Sequence, residues 1–384
     1  MIFLGLASNY HARDIFRHAF ILGTSRSYRA LESALAARYG ATLAHTSLIY
    51  SGRSAIALAL QSFIASGRLS TGDFVAVNAF TCHAVLEAIK HAGLQPEFID
   101  LAPNSPDYSA ASLRAACQKN PRLKVFILQN TFGNPVNIAE FMSVKAEFNL
   151  LLLEDLAHCA GRKYPNGQEI GTVGEATCLS FGKGKAIDTI TGGAVLLRDP
   201  TLNFPRSFNK TKLKKRRRSG DVPRASWYPV FGAIARGLAH LHLEKPWLAL
   251  LLKLRWIERS ADTKLLKDTT ITNWQARLAL RQLSLLPNRP LREYYLVENR
   301  AQCLQALRRQ GFYLEELWYE VPVAPERYYK AAHFPETTCP NAVYFAAHVV
   351  NLPTWYQDKK HQRQVAAARR IIKTYEVNHG RNLD

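Results

Sequence analysis

Short apolar runs alternate with longer amphipathic stretches through the first half of the chain. DFVAVNAF (73–80) leads into HAVLEAIKHAG (83–93), and PEFID (96–100) follows that stretch's glycine stop. LKVFILQN (123–130) passes through a TFGNP turn into IAEFMSVKAEFN (138–149), and NLLLLED (149–155) comes next. This alternation predicts strands separated by helices, hence a parallel, doubly wound α/β sheet. Ligands of such sheets sit at the carboxyl ends of the strands, where this chain places Asn78, Asp100, Asn130 and Asp155. SLIYSGRSAIALALQSFIASG (47–67) predicts a short strand, a turn at Gly52 and an amphipathic helix. ATCLSF and GGAVLLRD predict two more strands around the loop GKGKAIDTIT. Beyond Thr272, NWQARLALRQLSLL and REYYLVENRAQCLQALRRQG read as amphipathic helices, and HVVNLP (348–353) as a strand before a basic helix, KKHQRQVAAARRIIKTY. The expected fold is α/β: a large, mostly parallel sheet domain over 1–204, an insert over 205–268, and a smaller C-terminal α+β domain over 269–384.

Composition changes this picture in one place. The chain has 384 residues, 47% of them hydrophobic, which suits a large core plus a smaller one. Its net charge is +20, yet 205–262 alone holds fourteen Lys/Arg against four Asp/Glu, so about half of the excess is local. The six cysteines are scattered, with no CxxC pair and no zinc spacing, and several lie in apolar runs. Free thiols of this kind suit a reducing cytosol. The N-terminal MIFLGLASNYHARDIF has too short an apolar patch for a signal peptide, and no run of membrane-spanning length is free of charge.

Four short motifs carry possible chemistry, and each also has a plain structural reading. Ser51-Gly52-Arg53-Ser54 stands where a strand turns into a helix, so its backbone N–H groups could cradle a phosphate, with Arg53 and Ser54 as added donors. Ser51 could equally be an ordinary N-cap. Asp155 ends a very apolar strand, where a buried carboxylate needs a partner such as a protonated ring nitrogen, or caps the next turn. In SFGKGK, a lysine held at the end of a rigid strand could form a Schiff base, and Ser180 could complete a phosphate site. A lysine in such a loop could also simply face water. Asn130-Thr131-Phe132-Gly133-Asn134-Pro135 by itself indicates a turn.

The order of these motifs is more specific than any one of them. SGRSAIALAL, FTCHAVLEAIKHAGLQPEFIDL, NTFGNPVNI, LLLEDLAHCAG, GTVGEATCLSFGKGKAIDTITGGAVLL, TNWQARLALRQL and NLPTW together resemble the DegT/StrS family of sugar aminotransferases, pyridoxal-phosphate enzymes of the aspartate-aminotransferase fold. The resemblance spans most of the chain outside 205–268. It implies that Lys185 is the Schiff-base lysine, while Lys183 falls at a variable position. It puts Asp155 on the pyridine nitrogen, His158 beside the phenolic oxygen, and Gly52, Arg53, Ser54 and Ser180 around the phosphate. It further implies a keto-sugar acceptor linked to a nucleotide, glutamate as amino donor, ping-pong turnover and a homodimer with sites at the subunit interface. No metal is implied.

Several positions depart from the family pattern. Cys82 stands where an aromatic residue usually stacks on the cofactor ring, leaving the thiol, Phe80 or His83 to serve. Thr191 replaces a common glutamate, and KDTTI (267–271) stands where an Asn-Tyr-Arg segment often reaches the neighbouring cofactor. These departures favour a non-catalytic protein on the same scaffold as the rival reading. A sugar dehydratase is a second rival, and Lys185 counts against it.

The insert begins with KTKLKKRRR (210–218) and continues as Trp- and Leu-rich helix-like sequence. An anionic membrane surface at the inner membrane face and an interface or lid helix pair both fit. Nucleic acid fits less well, because the aromatics sit in Leu-rich runs rather than among the basic residues.

Overall fold

The computed structural model describes residues 2–4, 25–210, 227–239, 243–254, 270–286, 288–314, 317–354 and 359–377. In chain order the first elements are β1 (Ile2–Leu4), α1 (Ser25–Tyr39), β2 (Thr46–Ile49), α2 (Gly52–Ala65), β3 (Phe74–Asn78), β4 (Thr81–Cys82) and α3 (His83–His91). There follow β5 (Gln95–Ile99), α4 (Ala110–Lys119), β6 (Leu123–Leu128), α5 (Ile138–Phe148), β7 (Leu151–Asp155), β8 (Ala176–Ser180) and β9 (Gly193–Leu197). The second half contains α6 (Tyr228–Ala239), α7 (Glu244–Lys253), α8 (Asn273–Leu283), β10 (Arg292–Leu296), α9 (Arg300–Arg309) and β11 (Phe312–Leu314). It ends with β12 (Val323–Ala324), α10 (Pro340–His348), β13 (Val349–Pro353) and α11 (Lys359–Lys373).

Seven strands form one sheet in the order β2-β9-β8-β7-β6-β3-β5. Neighbours from β8 through β5 run parallel, and β9 is antiparallel to both β8 and β2. Side chains alternate across a strand, and here both faces are covered. Phe126 and Leu128 of β6 enter the core on one face together with Leu152, Leu179 and Leu196. Val125 and Ile127 enter the core on the other face with Leu151, Leu153, Cys178 and Val195. That double burial is why these strands read as unbroken apolar runs.

One sequence expectation is corrected. REYYL is not helical: Arg292–Leu296 pairs antiparallel with β13, and the helix starts only at Arg300, where the Asn299 side chain accepts from the N–H of Gln302. The cross-strand pairing outweighs a pattern that also suits a helix. The first strand, β1, pairs parallel with β11 in a two-stranded sheet separate from β10–β13. Within the insert, the described residues include the helices α6 and α7; KTKLKKRRR beyond Lys210, Trp256 and most of KDTTI lie outside the described residues.

Candidate active site

Strand ends converge as expected for such a sheet, but not every polar residue at them faces one place. Asp100 is diverted: its carboxylate accepts from the N–H groups of Asn341 and Ala342 and so caps the first turn of α10. Asn78 is buried, donating from Nδ2 to Pro106 O, Asp107 Oδ1 and Thr131 Oγ1. Asn130 takes a left-handed conformation (φ 46°), and its Oδ1 accepts from Val136 N–H.

The phosphate-type turn and Ser180 come together. Ser51 caps α2, its Oγ accepting from Ser54 N–H at 3.2 Å and lying 2.9 Å from Ser54 Oγ. A Cβ added to Gly52 would lie 2.6 Å from Ser180 Cβ and 2.9 Å from Ser180 Oγ, so only glycine lets the first turn of α2 approach β8 this closely. The N-terminus of α2 thus brings its backbone N–H groups and partial positive charge beside a serine hydroxyl, the donor set a phosphate needs. The Arg53 side chain is engaged elsewhere, pairing with Glu87 at 2.6 Å.

The lysine loop is held from two sides. Asp188 is buried and accepts from Gly184 N–H at 2.8 Å and Ile190 N–H at 2.9 Å. Helix α8 clamps the same loop: Gln282 exchanges two hydrogen bonds with the Asp188 backbone, and Gln275 donates to Thr189 O, Thr191 O and Thr191 Oγ1. Thr191, which replaces the glutamate of the family pattern, is therefore a receiver of this clamp. Within the loop Lys183 is exposed, whereas Lys185 is half-buried with its Nζ 4.3 Å from the centre of the Trp318 ring.

Asp155 and Glu154 are neighbours with different surroundings. Glu154 accepts from Tyr164 Oη and from the N–H groups of Gly171, Val173 and Gly174, all at 2.7–2.8 Å, and so fastens the loop before β8. Asp155 accepts from Ala157 N–H at 3.0 Å. Burial raises its pKa above the usual carboxylate range, while the Ala157 N–H, the nearby Lys185 charge and Gln129 act in the opposite direction. A buried carboxylate so placed gains from a partner that brings its own positive charge and hydrogen, which fits a protonated ring nitrogen.

His158 is buried between aromatic rings, stacked on Trp318 with centroids 4.8 Å apart. Its Nδ1 accepts from Phe132 N–H at 3.2 Å, which places the ring proton on Nε2, 3.2 Å from Tyr319 Oη. Burial, then the charges of Lys185 and Arg292, hold its pKa well below the usual histidine value, so the ring is neutral. Cys82 is half-buried at the end of β4, where it precedes α3 and pairs with Ala324 of β12. Phe80 is committed to the core against Phe132, Tyr319 and Phe345, and His83 stacks on Tyr328 at 4.5 Å.

Several residues here carry no local signal in the sequence. Arg292 is among the largest fully buried side chains; its Nε donates to Asn351 Oδ1, and its guanidinium lies 4.7 Å from the centre of the Trp318 ring. Asp107 accepts from Thr131 N–H and Oγ1 and from Asn78 Nδ2, pinning the turn that presents Phe132 N–H to His158. Burial pushes its carboxyl up to about 7. These residues enter the site from distant parts of the chain, and only the fold brings them together.

A family model described as the DegT/DnrJ/EryC1/StrS aminotransferase family matches residues 8–215, more than half of the chain. The chain is 28% identical over 360 residues to a UDP-N-acetyl-3-dehydro-alpha-D-glucosamine 3-aminotransferase from Acidithiobacillus ferrooxidans, covering 90% of this chain and 87% of that protein. Among solved structures, DesV of S. venezuelae superposes with a TM-score of 0.67 at 20% identity, over 93% of this chain and 92% of that one. The GDP-4-keto-6-deoxymannose-3-dehydratase ColD superposes at 0.60 and 16% identity, over 95% of this chain and 98% of that one, a likeness of fold alone. The chain therefore belongs to the DegT/DnrJ/EryC1/StrS aminotransferase family and is a pyridoxal-phosphate enzyme.

Proposed function

We propose that the chain transfers an amino group to a keto-sugar carried on a nucleotide, with Lys185 as the catalytic amine. The observation that carries this assignment is the contrast within one loop: Lys183 is exposed, and Lys185 is turned inward among Asp155, His158 and Trp318. The A. ferrooxidans relative, named for a UDP-linked 3-dehydro sugar, supports the acceptor class.

Bound pyridoxal phosphate supplies an electrophilic carbon and an electron sink. In this reading the N-terminus of α2 and Ser180 Oγ hold its phosphate, Asp155 keeps its ring nitrogen protonated, and His158 donates from Nε2 toward its phenolic oxygen. Lys185 Nζ would accept a proton from the donor carbon as it loses the amino group and would deliver one to the sugar carbon as it gains it. The Asp188 and α8 contacts keep that amine within reach through both halves of the reaction. Glutamate as donor and a homodimer as the working unit rest on family resemblance. Retention of Lys185 argues against a dehydratase, although ColD shares the fold.

The test compares two variants. Wild-type protein loaded with pyridoxal phosphate should keep a visible absorbance band through dialysis, and Lys183→Ala should keep it too. Lys185→Ala should lose the band and the transfer of ¹⁵N from glutamate to a UDP-linked 3-keto sugar. A band that survives in Lys185→Ala and vanishes in Lys183→Ala would overturn the assignment.

A further inference from the structure

One residue of the lysine loop holds a backbone conformation that its side chain disfavours. Ile190 has φ 74°, in the left-handed region where a β-branched residue is an outlier and glycine would sit without strain. Such a conformation persists only where its surroundings over-determine it. Here they act on backbone and side chain together. Ile190 N–H donates to Asp188 Oδ1 at 2.9 Å, and the carbonyls on either side of it, Thr189 O and Thr191 O, each accept from Gln275 Nε2 at 3.0 Å. The Ile190 side chain packs on Trp274 and Leu278, both buried. Trp274, Leu278 and Gln282 recur every four residues, so one side of α8 supplies the packing as well as hydrogen bonds. The other Asp188 oxygen accepts from Gly184 N–H at 2.8 Å, so what fixes Ile190 is tied to the residue before Lys185.

The same two residues receive the insert. Val230 of α6 also packs on Trp274 and Leu278. Its neighbour Phe231 is buried, and α7 fixes it there: Trp247 meets Phe231 edge-on with centroids 6.4 Å apart, and its Nε1–H donates to Phe231 O at 3.2 Å. Leu251 of α7 is buried as well. The α6–α7 hairpin thus stands behind α8, and α8 stands behind the lysine loop. Glycine at position 190 would ease the backbone but would give up the contact with α8. The isoleucine side chain is what ties the strained loop to the helix that the hairpin supports.

We propose that Ile190 is a positioning residue for Lys185 and that the α6–α7 hairpin is the brace that keeps it in place, acting through Trp274 and Leu278. The consequence for catalysis rests on the assignment of Lys185; the consequence for the loop does not. Hydrogen exchange followed by mass spectrometry on the full-length, unloaded protein reads the loop. Ile190→Ala should speed exchange across Gly184–Thr191 about tenfold and Val230→Ala about threefold, with the amides of β3 and β6 unmoved. Ile190→Val keeps the branched side chain and should exchange as wild type does. In protein loaded with pyridoxal phosphate, both alanine variants should lower kcat for ¹⁵N transfer from glutamate. KM for the UDP-linked 3-keto sugar should stay unchanged, because the loop places the amine and not the sugar. Loop amides unmoved in both alanine variants, or amides speeded everywhere including β3 and β6, would overturn the brace. Faster loop exchange with an unchanged kcat would overturn the positioning role. If Lys185→Ala retains transfer, the lysine assignment falls, and the exchange result still decides the brace.

Discussion

Replacing Gly52 by alanine should close the turn between α2 and β8. The new Cβ would stand 2.6 Å from Ser180 Cβ, 2.9 Å from its Oγ and 3.2 Å from its Cα, whereas carbon atoms rest at about 3.5–4.0 Å. The two elements must therefore part by about 1 Å. Ser180 cannot yield alone, because it is the last residue of β8 and pairs with Gly193 of β9. Gly193 is itself tight against the turn, its own Cβ position lying 2.8 Å from Ser51 C and 2.9 Å from Gly52 N. Alanine gains about 1 kcal/mol of helix propensity over glycine, and overpacking costs about 1–3 kcal/mol, so the net loss of stability is small, about 0–2 kcal/mol. The effect on cofactor affinity is larger. Hydrogen bonds to a charged phosphate contribute about 1.5–3 kcal/mol each, so losing one lowers affinity about tenfold or more. A pyridoxal-phosphate titration followed by protein fluorescence, with thermal melts alongside, separates the two effects. Adding Ser180→Gly removes the two shortest contacts and should restore the melting temperature without restoring affinity, since the hydroxyl is gone. An unchanged dissociation constant in Gly52→Ala would refute the cradle.

Two further outcomes follow from buried polar groups. Asp107 has a folded-state pKa of about 7 against 3.8 in the unfolded chain, so the native state binds its proton more tightly. Its contribution to stability is then greatest below about pH 4 and is lost as pH rises toward 7, by up to about 4 kcal/mol. Urea unfolding of wild type and Asp107→Asn from pH 4 to 8 should show that slope only in wild type; parallel curves would refute it. Gln282→Ala removes two hydrogen bonds to the Asp188 backbone and should destabilise the protein by about 2–4 kcal/mol. It should also speed amide exchange across Gly184–Thr191, and an unaltered exchange pattern there would show that the loop does not need the clamp.

The large sheet was legible because its strands are buried on both faces and leave continuous apolar runs, each ending in a polar residue. The strand-end positions of Asp155 and Ser180 were legible for the same reason. REYYL misled because Tyr294, Tyr295 and Leu296 satisfy a helical pattern as well as a strand pattern, and the partner that decides, Val349–Pro353, is far along the chain. Arg292, Trp318, Tyr319 and Asp107 gave no local signal. Their importance arises from where the small unit and the β5–α4 connection meet the sheet, and neither follows from periodicity. The partner of the first strand, IFL, could not be read because parallel pairing with Phe312–Leu314 is a long-range event.

Strand parity explains how one dipeptide, Glu154-Asp155, serves two purposes. Adjacent strand residues point to opposite faces. Glu154 shares a face with Leu152, where four donors meet it and leave its carboxylate committed to architecture. Asp155 shares the other parity with Leu151 and Leu153 but stands at the strand's last position, where apolar packing ends and the Lys185 charge begins to be felt. Interchanging the two acids would keep the composition and the charge. It would put a shorter side chain among four donors placed for a longer one, and a longer one at a strand end where Ala157 N–H and Gln129 are set for the shorter carboxylate. The fold would lose a fastening at the loop before β8, and the site would lose the fixed carboxylate that the ring-nitrogen role proposed for Asp155 requires. The chemistry therefore depends on the register of β7 as much as on the identity of its acids.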